Sequence, residues 1–371
     1  MLMNRNLCGK KILLISNMYP SKRFPHYGVF VKNTEDMLRN NGLSVDCVAI
    51  HKQTGAMGKL WAYLRFHIET ILHVLLRRYT CVYAHYISHT AFVLLLIKKI
   101  RPHIKIVVNV HGNDIVPEDK HDEKYLPLVY KVKGSVDRWI VPSEYFKKIL
   151  EKNYGIIAER ITVYPSGGID CKQFFRKDTA VCKEEAGLAR DDFVAGFAGR
   201  IEKNKGWDTM LEAAALARGR IPELKCLIVG AGSLESELEQ LIQEKRIRDL
   251  IVRIPLVSQE RLSAFYSAMD VFCLPSYRKS ESLALAGLEA MACGCVVAGS
   301  NMAGPATYIR QGKNGFLFEP RNAQELAEKL IEIYHMPEAD KERIRIQAEE
   351  TARDYDKEKV KEILLDVFRN L

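Results

Sequence analysis

Residues 271–298 read VFCLPSYRKSESLALAGLEAMACGCVVA and alternate between two short apolar runs and one segment with helical spacing. The apolar runs, Val271–Leu274 and residues 295–298, are typical of buried strands, and residues 283–293 between them predict a helix. A strand, a helix and a second strand in this order form a unit whose two strands run parallel. The stretch therefore predicts an α/β protein built on a parallel sheet.

The same alternation continues along the chain in two series. The predicted strands of the first series are residues 12–16, 45–50, Cys81–His85, Lys105–Asn109, 139–142 and 161–164, and those of the second are Phe193–Ala198, 225–229, Ile251–Ile254, Val271–Leu274 and 295–298. Predicted helices separate them, for example residues 31–40, Ile87–Ile100, Trp207–Ala217, 234–244 and 259–269. Two such series predict two doubly wound, Rossmann-like domains, residues 1–175 and 176–350, followed by a C-terminal helix within residues 351–371.

The positive charge of the sequence lies in its first half. The 371 residues include 55 Lys and Arg against 46 Asp and Glu, a formal net charge of +9. Residues 1–175 hold 26 basic and 14 acidic residues, a net charge of +12, whereas the remainder holds 29 and 32, a net charge of −3. The first domain is therefore expected to meet an anionic partner. Nucleic acid is not the expected partner, because the sequence contains no recognised nucleic-acid-binding motif.

Residues 59–79 predict a basic amphipathic helix. Apolar residues at 60, 61, 64, 68, 71, 72 and 75 have helical spacing, and Lys59, Arg65, Arg77 and Arg78 accompany them with only Glu69 opposing. Two interpretations remain open. Either the helix rests on an anionic membrane surface, or its apolar side faces the protein core while its basic side is solvated.

The cysteines and the N-terminus favour a cytoplasmic protein. The nine cysteines are scattered without a CxxC pair, and Cys293 and Cys295 are too close together for ordinary zinc-ligand spacing, so reduced thiols and no bound metal are expected. The first residues lack the apolar segment and cleavage site of a signal peptide. The longest apolar run, residues 91–97, is far shorter than the roughly 20 residues of a membrane-spanning helix.

Glu281 and Glu289 are the strongest candidate functional residues. On a single helix their spacing would separate them by about 12 Å along the axis and about 80° around it, whereas the two carboxylates of a glycosidase lie ~5–9.5 Å apart. Geometry thus favours Glu281 in the loop after the strand and Glu289 in the helix, each holding a different part of one long ligand. The N–H groups of the first helical turn would then face an anion. The alternative is that both glutamates are solvated.

A basic loop bounded by glycines follows the predicted strand Phe193–Ala198. It carries Arg200 and Lys205 between Gly199 and Gly206. A guanidinium binds phosphate oxygens in a bidentate manner, and an ammonium adds a mobile positive charge. Because ligands bind at the carboxyl ends of parallel strands, this loop predicts a diphosphate site.

Two further candidates lie in the first domain. His111 follows the predicted strand Lys105–Asn109 and can form a hydrogen bond with a hydroxyl group or steady developing charge. Gly28 lies between the first strand and its helix, where a backbone without a side chain could approach a phosphate, although a simple turn explains it equally well. His85 also ends a strand and is interpreted as a packing residue, with function left open.

These motifs together resemble those of the family-4 retaining glycosyltransferases of the GT-B fold. The matching segments are Gly28-Val-Phe, His111-Gly-Asn-Asp114, Gly199-Arg200 with Lys205-Gly206, and Glu281-x7-Glu289 followed by Ala290-Met-Ala-Cys-Gly294. They keep the family's order over essentially the whole chain. The resemblance implies two Rossmann-like domains facing across a cleft. The N-terminal domain would bind the acceptor and the C-terminal domain the nucleotide sugar, with the C-terminal helix crossing back to the first domain.

The resemblance also implies roles for individual residues. Arg200 and Lys205 would neutralise the leaving diphosphate, Glu289 would hold the ribose hydroxyls, and Glu281 would contact the transferred sugar. His111 would line the reacting sugar, and His111, Arg200, Lys205 and Glu281 form the expected catalytic set. The nucleotide-sugar site would comprise Gly28, Arg200, Lys205, Glu281, Ser282, Leu283, Ala284, Leu285 and Glu289, with backbone N–H groups near 283–285 completing the phosphate site. Leu283 and Ala284 stand where family members usually have an aromatic residue and a glycine.

The expected function is a retaining, metal-independent glycosyltransferase that moves a sugar from a nucleotide sugar, with UDP favoured, to a hydroxyl group. The acceptor would be lipid-linked or a polysaccharide of the bacterial cell envelope, and the enzyme cytoplasmic and peripheral on the inner membrane. Two alternatives stay open. One is a non-catalytic nucleotide-sugar-binding GT-B subunit, which Leu283-Ala284 allows. The other is a GT-B sugar-nucleotide epimerase, which should need acid and base residues in its cleft and lack the paired glutamates.

Overall fold

The computed structural model describes residue 7, residues 9–255 and residues 257–371, and in it the chain forms two compact units. The first unit comprises the residues up to Gly167 together with Val360–Leu371, and the second comprises Gly168–Lys359. The boundary therefore precedes the one predicted after residue 175, and the C-terminal segment joins the first unit later than residue 351.

Backbone hydrogen bonds explain where the first of these boundaries falls. Ile169 N donates to Tyr355 O at 2.9 Å, and Lys357 N donates to Ile169 O at 2.8 Å. Gly168 has a positive φ of 72°, and a Cβ there would lie 3.0 Å from Lys357 N, so the two segments approach more closely than a side chain allows. Residues 168–170 are thus attached to the end of the second unit rather than to the first.

The first unit is built on a six-stranded parallel sheet. Its strands are β1 (Lys11–Tyr19), β2 (Ser44–His51), β3 (Cys81–His85), β4 (Lys105–Asn109), β5 (Arg138–Val141) and β6 (Ile161–Val163). Its helices are α1 (Val29–Asn40), α2 (Ala56–Leu76), α3 (Ile87–Ile100), α4 (Lys120–Glu123), α5 (Leu126–Val132) and α6 (Glu144–Tyr154). The strand order is β2-β1-β3-β4-β5-β6, so the order reverses between β1 and β3. In open sheets of this kind, ligands bind at the carboxyl ends of the strands beside such a reversal.

The second unit is built on another six-stranded parallel sheet. Its strands are β7 (Phe193–Ala198), β8 (Leu224–Val229), β9 (Ile251–Ile254), β10 (Val271–Leu274), β11 (Val296–Ser300) and β12 (Phe316–Phe318). Its helices are α7 (Thr179–Glu185), α8 (Trp207–Ala217), α9 (Glu235–Lys245), α10 (Gln259–Ser267), α11 (Leu285–Ala292), α12 (Pro305–Tyr308), α13 (Ala323–His335) and α14 (Glu338–Asp354), and α15 (Lys357–Arg369) follows them. The strand order is β12-β11-β10-β7-β8-β9, which reverses between β7 and β10. The predicted fold class is confirmed.

The reversal between β7 and β10 brings two loops into contact. Gly206, just before α8, has a positive φ of 77°, and a Cβ on it would overlap the carbonyl group of Pro275, which follows β10. Tyr277 N also donates to Asn204 O at 3.0 Å. The basic loop after β7 and the loop that leads to Glu281 are therefore packed against each other.

From Val360 onward, α15 contributes to the hydrophobic core of the first unit. Val360, Leu364 and Phe368 are buried in a cluster that also contains residues of β1 and β3. Lys10 Nζ donates to the carbonyl oxygens of Phe368 at 2.7 Å and Arg369 at 2.9 Å, which satisfies acceptors that the end of a helix leaves unpaired.

Two further observations concern the cysteines and membrane insertion. The eight cysteines among the described residues are free thiols, and Cys8 lies outside those residues. Within the described part of the chain, no helix combines the length and apolar character needed to cross a bilayer.

Candidate active site

An ion pair joins the two loops that meet between β7 and β10. Lys205 Nζ lies 2.8 Å from Glu281 Oε2, and their side chains are only 21% and 13% exposed. Ser276 Oγ donates to the same carboxylate oxygen at 2.8 Å. The structure thus brings together two predicted site residues that are far apart in the sequence, and it adds Ser276.

Glu281 is held in its ionised form. Burial alone would raise the pKa of its carboxyl group, but the Lys205 ammonium and the Ser276 hydroxyl outweigh this effect and leave the pKa below its ordinary value. A carboxylate in this state can accept hydrogen bonds from the hydroxyl groups of a ligand.

Arg200 lies on the same loop as Lys205 but is not part of the ion pair. Its side chain is exposed, and it forms no ion pair with any of the residues that the structure describes. Its carbonyl oxygen accepts a hydrogen bond from Glu202 N at 2.9 Å. The Arg200 guanidinium can therefore bind an anion directly, whereas Lys205 must give up its contact with Glu281 to do so.

Glu289 has a different environment from Glu281. It lies within α11, and Tyr266 on α10 donates its hydroxyl to Glu289 Oε2 at 3.0 Å. Burial raises the pKa of Glu289 to about 7, although the Tyr266 hydroxyl opposes the increase. No cation pairs with Glu289 among the described residues, so its carboxyl group titrates close to neutral pH.

The segment from Glu281 to Ala284 has no regular secondary structure, and α11 begins at Leu285. The helix was predicted to begin at residue 283, so this prediction was wrong by two residues. Leu283 is buried, and a Cβ on Gly304 would lie 2.5 Å from its Cα atom. Glu281 O accepts a hydrogen bond from Gly304 N at 3.3 Å. The loop after β11 therefore holds Leu283 outside the helix. The first helical turn begins with the N–H groups of Leu285 and Ala286, whereas Gly287 N donates to Ala284 O at 3.0 Å.

Ala284 explains why the helix cannot begin earlier. Its φ and ψ are 59° and 65°, in the left-handed region, and Tyr308 Oη donates to its carbonyl oxygen at 3.2 Å. An L-residue in this region is disfavoured by roughly 1–2 kcal/mol. The resemblance to the family-4 glycosyltransferases implies a glycine at this position, and the left-handed conformation explains why glycine would be favoured there. Ser282, two residues before Ala284, lies in the same irregular segment.

His111 follows β4 in the first unit, and Asp114 holds its backbone in place. Asp114 Oδ1 accepts hydrogen bonds from His111 N at 3.0 Å and Gly112 N at 2.9 Å, and Oδ2 accepts one from Ile87 N at 3.3 Å. Burial raises the pKa of Asp114 to about 6, although these backbone hydrogen bonds oppose the increase. The loop after β4 is thereby attached to the start of α3.

The ring of His111 contacts three other rings. His111 Nε2 lies 2.9 Å from His85 Nδ1, and the ring centroids of Tyr86 and Phe30 lie 4.6 Å and 4.7 Å from that of His111. Burial lowers the pKa of His111 to about 3 and that of His85 well below its ordinary value. His85, interpreted from the sequence as a packing residue, is therefore a hydrogen-bonding partner of a candidate site residue.

Gly28 is explained by its own surroundings. It precedes α1 with a positive φ of 74°, and a Cβ there would lie 2.7 Å from Met18 C and from Tyr19 N at the end of β1. The close approach that requires a glycine is thus an approach to β1. Gly28 and His111 belong to the first unit, and the other predicted site residues belong to the second.

Ser276 and Tyr266 escaped the sequence analysis as functional candidates, and the function of His85 was left open there. Ser276 and His85 lie at or just after the carboxyl end of a strand, which is a signal that the sequence does carry. Tyr266 lies inside α10 without any comparable signal. Among the described residues, no group of three or more His, Cys, Asp or Glu side chains is arranged to hold a metal ion.

Two units that are each built on a six-stranded parallel sheet with flanking helices are the architecture of the GT-B class of fold. Comparison with known families agrees: residues 25–172 match the family described as Glycosyltransferase Family 4, and residues 179–351 match that described as Glycosyl transferases group 1. The chain belongs to these glycosyltransferases.

Curated relatives bear the same type of name. The chain is 32% identical over 192 residues to a D-inositol 3-phosphate glycosyltransferase of Pseudarthrobacter chlorophenolicus, a match to 51% of this chain and 45% of the relative. It is 35% identical over 206 residues to a protein of that name from Geodermatophilus obscurus, covering 53% and 45%. The chain thus matches less than half the length of these relatives.

Solved structures share the fold over the whole chain. Sucrose-phosphate synthase from Thermosynechococcus elongatus has a TM-score of 0.80 at 19% identity and covers 97% of this chain and 98% of its own. HepE of Anabaena, solved in complex with UDP, has a TM-score of 0.74 at 18% identity and covers 98% and 100%. At these identities the likeness concerns the fold.

The strained conformation of Ala284 leads to a prediction about stability. We expect Ala284→Gly to raise the free energy of unfolding by up to about 1.5 kcal/mol, because glycine removes a left-handed strain of roughly 1–2 kcal/mol and costs ~0.5–1 kcal/mol in backbone entropy. Ala284→Val should lower it, since a β-branched residue fits this region worst. Chemical denaturation of the three proteins measures the difference. A glycine variant less stable than the valine variant would contradict the role of φ.

Proposed function

We propose that this chain transfers a sugar from a nucleoside diphosphate sugar to a hydroxyl group of an acceptor, with retention of configuration at the anomeric carbon and without a metal ion. The observation that carries the proposal is the largely buried ion pair between Lys205 and Glu281 at the strand reversal of the second unit. It provides, in one place, a cation for a diphosphate and a carboxylate for sugar hydroxyls.

The donor side of the reaction follows from the charges. Arg200 and Lys205 supply the positive charge for the diphosphate, and the N–H groups at the start of α11 add to it. Glu281, kept ionised by its surroundings, accepts hydrogen bonds from the hydroxyls of the transferred sugar. Glu289 accepts hydrogen bonds from the two ribose hydroxyls.

The transfer step breaks the bond between the anomeric carbon and the diphosphate oxygen. Negative charge then grows on the diphosphate, so fixed cations beside it lower the barrier more than they stabilise the ground state. The acceptor oxygen forms the new bond to the anomeric carbon on the same face, and its proton passes to the departing diphosphate oxygen. No carboxylate of the protein is needed as a base in this scheme.

Two acceptors have support. The curated relatives are named for D-inositol 3-phosphate, which makes an inositol phosphate one candidate. The surface of α2 favours the other, a lipid-linked acceptor of the cell envelope. UDP-glucose is the first donor to test, because HepE of Anabaena, which shares this fold, was solved in complex with UDP-glucose.

The apolar stripe of α2 does not face the core of the first unit. Eight large apolar residues of this helix are exposed, and they recur every three or four positions: Met57, Leu60, Trp61, Leu64, Ile68, Leu72, Leu75 and Leu76. At ~100° per residue they occupy roughly 160° of the helix circumference. Phe66, Thr70 and Val74 form the opposite, buried side. The interpretation of the apolar side as core-facing is therefore wrong for most of these residues.

Charges near this stripe suit an anionic membrane surface. Arg65 is exposed beside the stripe, where it pairs with Glu69 at 2.7 Å, and Lys59 and Arg78 are exposed on or just beyond α2. An exposed apolar stripe with basic neighbours is the pattern of a helix that lies in the interface of an anionic bilayer. We therefore propose that α2 holds the first unit on such a membrane, where a lipid-linked acceptor would be found.

Loss of the Arg200 guanidinium should affect the chemical step. A thermal-shift screen of UDP-, GDP- and ADP-sugars first identifies the donor, since a ligand that binds only the folded chain raises its melting temperature. With that donor, Arg200→Ala should lower kcat at least ~100-fold, the scale for losing one preorganised charge donor. Lys205→Ala is the less informative variant because it also removes the partner of Glu281.

Lys203→Ala is the matched control, because Lys203 is an exposed cation on the same loop. It should leave kcat within about twofold of the unmodified chain, since an exposed charge away from the reacting atoms contributes little. Transfer to D-inositol 3-phosphate and to a lipid-linked sugar is measured in parallel. A chain that binds a nucleotide sugar but transfers it to neither acceptor would instead support a non-catalytic subunit.

Donor affinity should fall as the pH drops below neutral. The ionised carboxylate of Glu289 can accept hydrogen bonds from both ribose hydroxyls. Burial raises the pKa of Glu289 to about 7 in the free chain. Apparent affinity scales with the fraction in the competent form, so the dissociation constant should rise about tenfold from about pH 8 to about pH 6. Calorimetry with the nucleotide sugar measures this, because its diphosphate diester does not titrate near neutrality.

Two variants isolate Glu289 in this experiment. Glu289→Gln should bind more weakly and lose the pH dependence, whereas Tyr266→Phe should move the transition to higher pH because it removes the hydroxyl that favours the ionised form. Asp114, whose pKa is about 6, is present in all three proteins. If the unmodified chain and Glu289→Gln give the same pH profile, Glu289 does not hold the ribose.

The first unit should bind anionic vesicles through α2. We expect the chain to float with vesicles that contain phosphatidylglycerol at low salt, and to do so less at high salt, because the basic residues contribute electrostatically. Trp61 is 63% exposed whereas Trp139 and Trp207 are buried, so quenching of tryptophan fluorescence by brominated lipid reports on α2.

A double variant that combines Leu64→Glu and Ile68→Glu should abolish flotation, since it places charge in the centre of the apolar stripe. Leu216→Glu is the control, because Leu216 is equally exposed on α8 of the second unit. Flotation that survives the double substitution would show that another surface binds the lipid.

A further inference from the structure

Two histidines from neighbouring strands share a hydrogen bond in the first unit. β3 and β4 are paired in parallel with His85 opposite Asn109, and His111 follows two residues later. His85 Nδ1 lies 2.9 Å from His111 Nε2, and the two rings are nearly parallel, with an interplanar angle of 18°. His85 is fully buried, so its ring is fixed in place.

The protonation of this pair is limited by its surroundings. Burial lowers the pKa of both rings, and a second charge beside the first would add repulsion, so both rings are neutral at neutral pH. A neutral imidazole carries one N–H and one lone pair. The contact therefore has two possible arrangements: either His85 Nδ1 donates to His111 Nε2, or His111 Nε2 donates to His85 Nδ1.

The remaining nitrogen of His85 distinguishes the two arrangements. His85 Nε2 is buried and has no hydrogen-bond partner among the described residues. If His111 were the donor, the proton of His85 would lie on this nitrogen and would be a buried N–H without an acceptor. If His85 is the donor, the same nitrogen carries only a lone pair. Buried N–H groups without partners are rarer than acceptors left unsatisfied. The arrangement in which His85 Nδ1 donates to His111 Nε2 is therefore favoured.

We propose that His85 is a positioning residue that holds His111 in the tautomer with its proton on Nδ1, so that His111 offers a neutral N–H to an oxygen atom of the substrate. The second half of this proposal rests on the proposed function. His111 Nε2 is occupied by His85, so Nδ1 is the nitrogen left for a ligand.

Other contacts fix the orientation of that donor. The ring of Tyr86 stacks on His111 at 26°, the ring of Phe30 lies on it at 49°, and Asp114 binds its backbone N–H. A donor held in this way loses little freedom when it binds an oxygen atom. Because the ring stays neutral, it does not act as a general acid, and its lone pair is engaged by His85, so it does not act as a general base either.

Nitrogen NMR tests the tautomer directly. In the chain labelled with ¹⁵N-histidine, His111 should show a protonated Nδ1 and an unprotonated Nε2, and His85 should show the same pattern. His111→Gln and His85→Asn provide the assignments. A His111 protonated on Nε2 would overturn the proposal whether or not the chain transfers sugar.

Two substitutions of His85 test its role as donor. In His85→Phe, His111 Nε2 loses its partner, so the NMR signals of His111 should move toward the other tautomer. The kcat should fall about tenfold or more, while the KM for the nucleotide sugar changes little. In His85→Asn, the amide N–H can replace Nδ1, and both the tautomer and most of kcat should be retained. A purely structural role predicts no such rescue.

The outcomes separate this proposal from the proposed function. An unchanged His111 tautomer in His85→Phe would refute the positioning role. If His85→Phe does not fold, the tautomer in the unmodified chain and in His85→Asn still decides the matter. If the unmodified chain shows the expected tautomer but transfers no sugar from any nucleotide sugar tested, the proposed function fails and the assignment of the proton stands.

Discussion

The candidate site of the second unit depends on the ion pair between Lys205 and Glu281. The two residues lie on loops that the sheet brings together only because β10 pairs with β7. Gly206 lets these loops approach, and Ser276 adds a second hydrogen bond to the carboxylate. Removing one partner of a buried pair leaves the other charge uncompensated, at a cost of roughly 3–5 kcal/mol. The shape of both loops is thus tied to this contact.

Because Lys205 and Glu281 are paired, groups of a ligand can replace the partner of each at a low cost in free energy. A diphosphate beside Lys205 would supply the negative charge that Glu281 supplies in the free chain, and sugar hydroxyls beside Glu281 would supply hydrogen-bond donors in place of the ammonium. Neither charge needs to be buried without compensation at any stage. Arg200, which is exposed and unpaired within the described residues, has no comparable exchange to make. The two basic residues of one loop are therefore expected to contribute differently to binding and to catalysis.

Much of the fold follows from the sequence because the strands are buried on both faces. β7 and β10 were predicted at their observed bounds, since continuous apolar runs mark strands of a parallel sheet. β12 was missed although β6 is equally short, because only the four-residue helix α12 separates β12 from β11 and the alternation of strands with longer helices is lost there. α14 carries little apolar pattern in the sequence, since it buries only Ile344, Ala348 and Ala352, one residue per turn.

Part of the candidate site could be predicted, and the rest depends on contacts between strands. The positions of Lys205 and Glu281 after strands were readable, but their pairing required the order of the strands, which no local pattern contains. The early start predicted for α11 failed because Ala284 takes a left-handed conformation that its side chain does not announce. His85 was interpreted as a packing residue because burial and hydrogen bonding give the same signal in a sequence: a polar residue at the end of an apolar run.

The buried carboxyl groups of Glu281, Glu289 and Asp114 differ in pKa because their surroundings differ. Burial raises the pKa in every case, and the outcome depends on what opposes it. Beside Glu281 an ammonium is near enough to reverse the effect, whereas Glu289 has only a phenol and Asp114 only backbone N–H groups. Glu289 is thus the carboxylate whose charge a ligand can most readily change, because hydrogen bonds from ligand hydroxyls would favour its ionised form and release its proton. Asp114 already has its hydrogen bonds from the backbone, which suits a group that shapes a loop rather than one that binds a ligand.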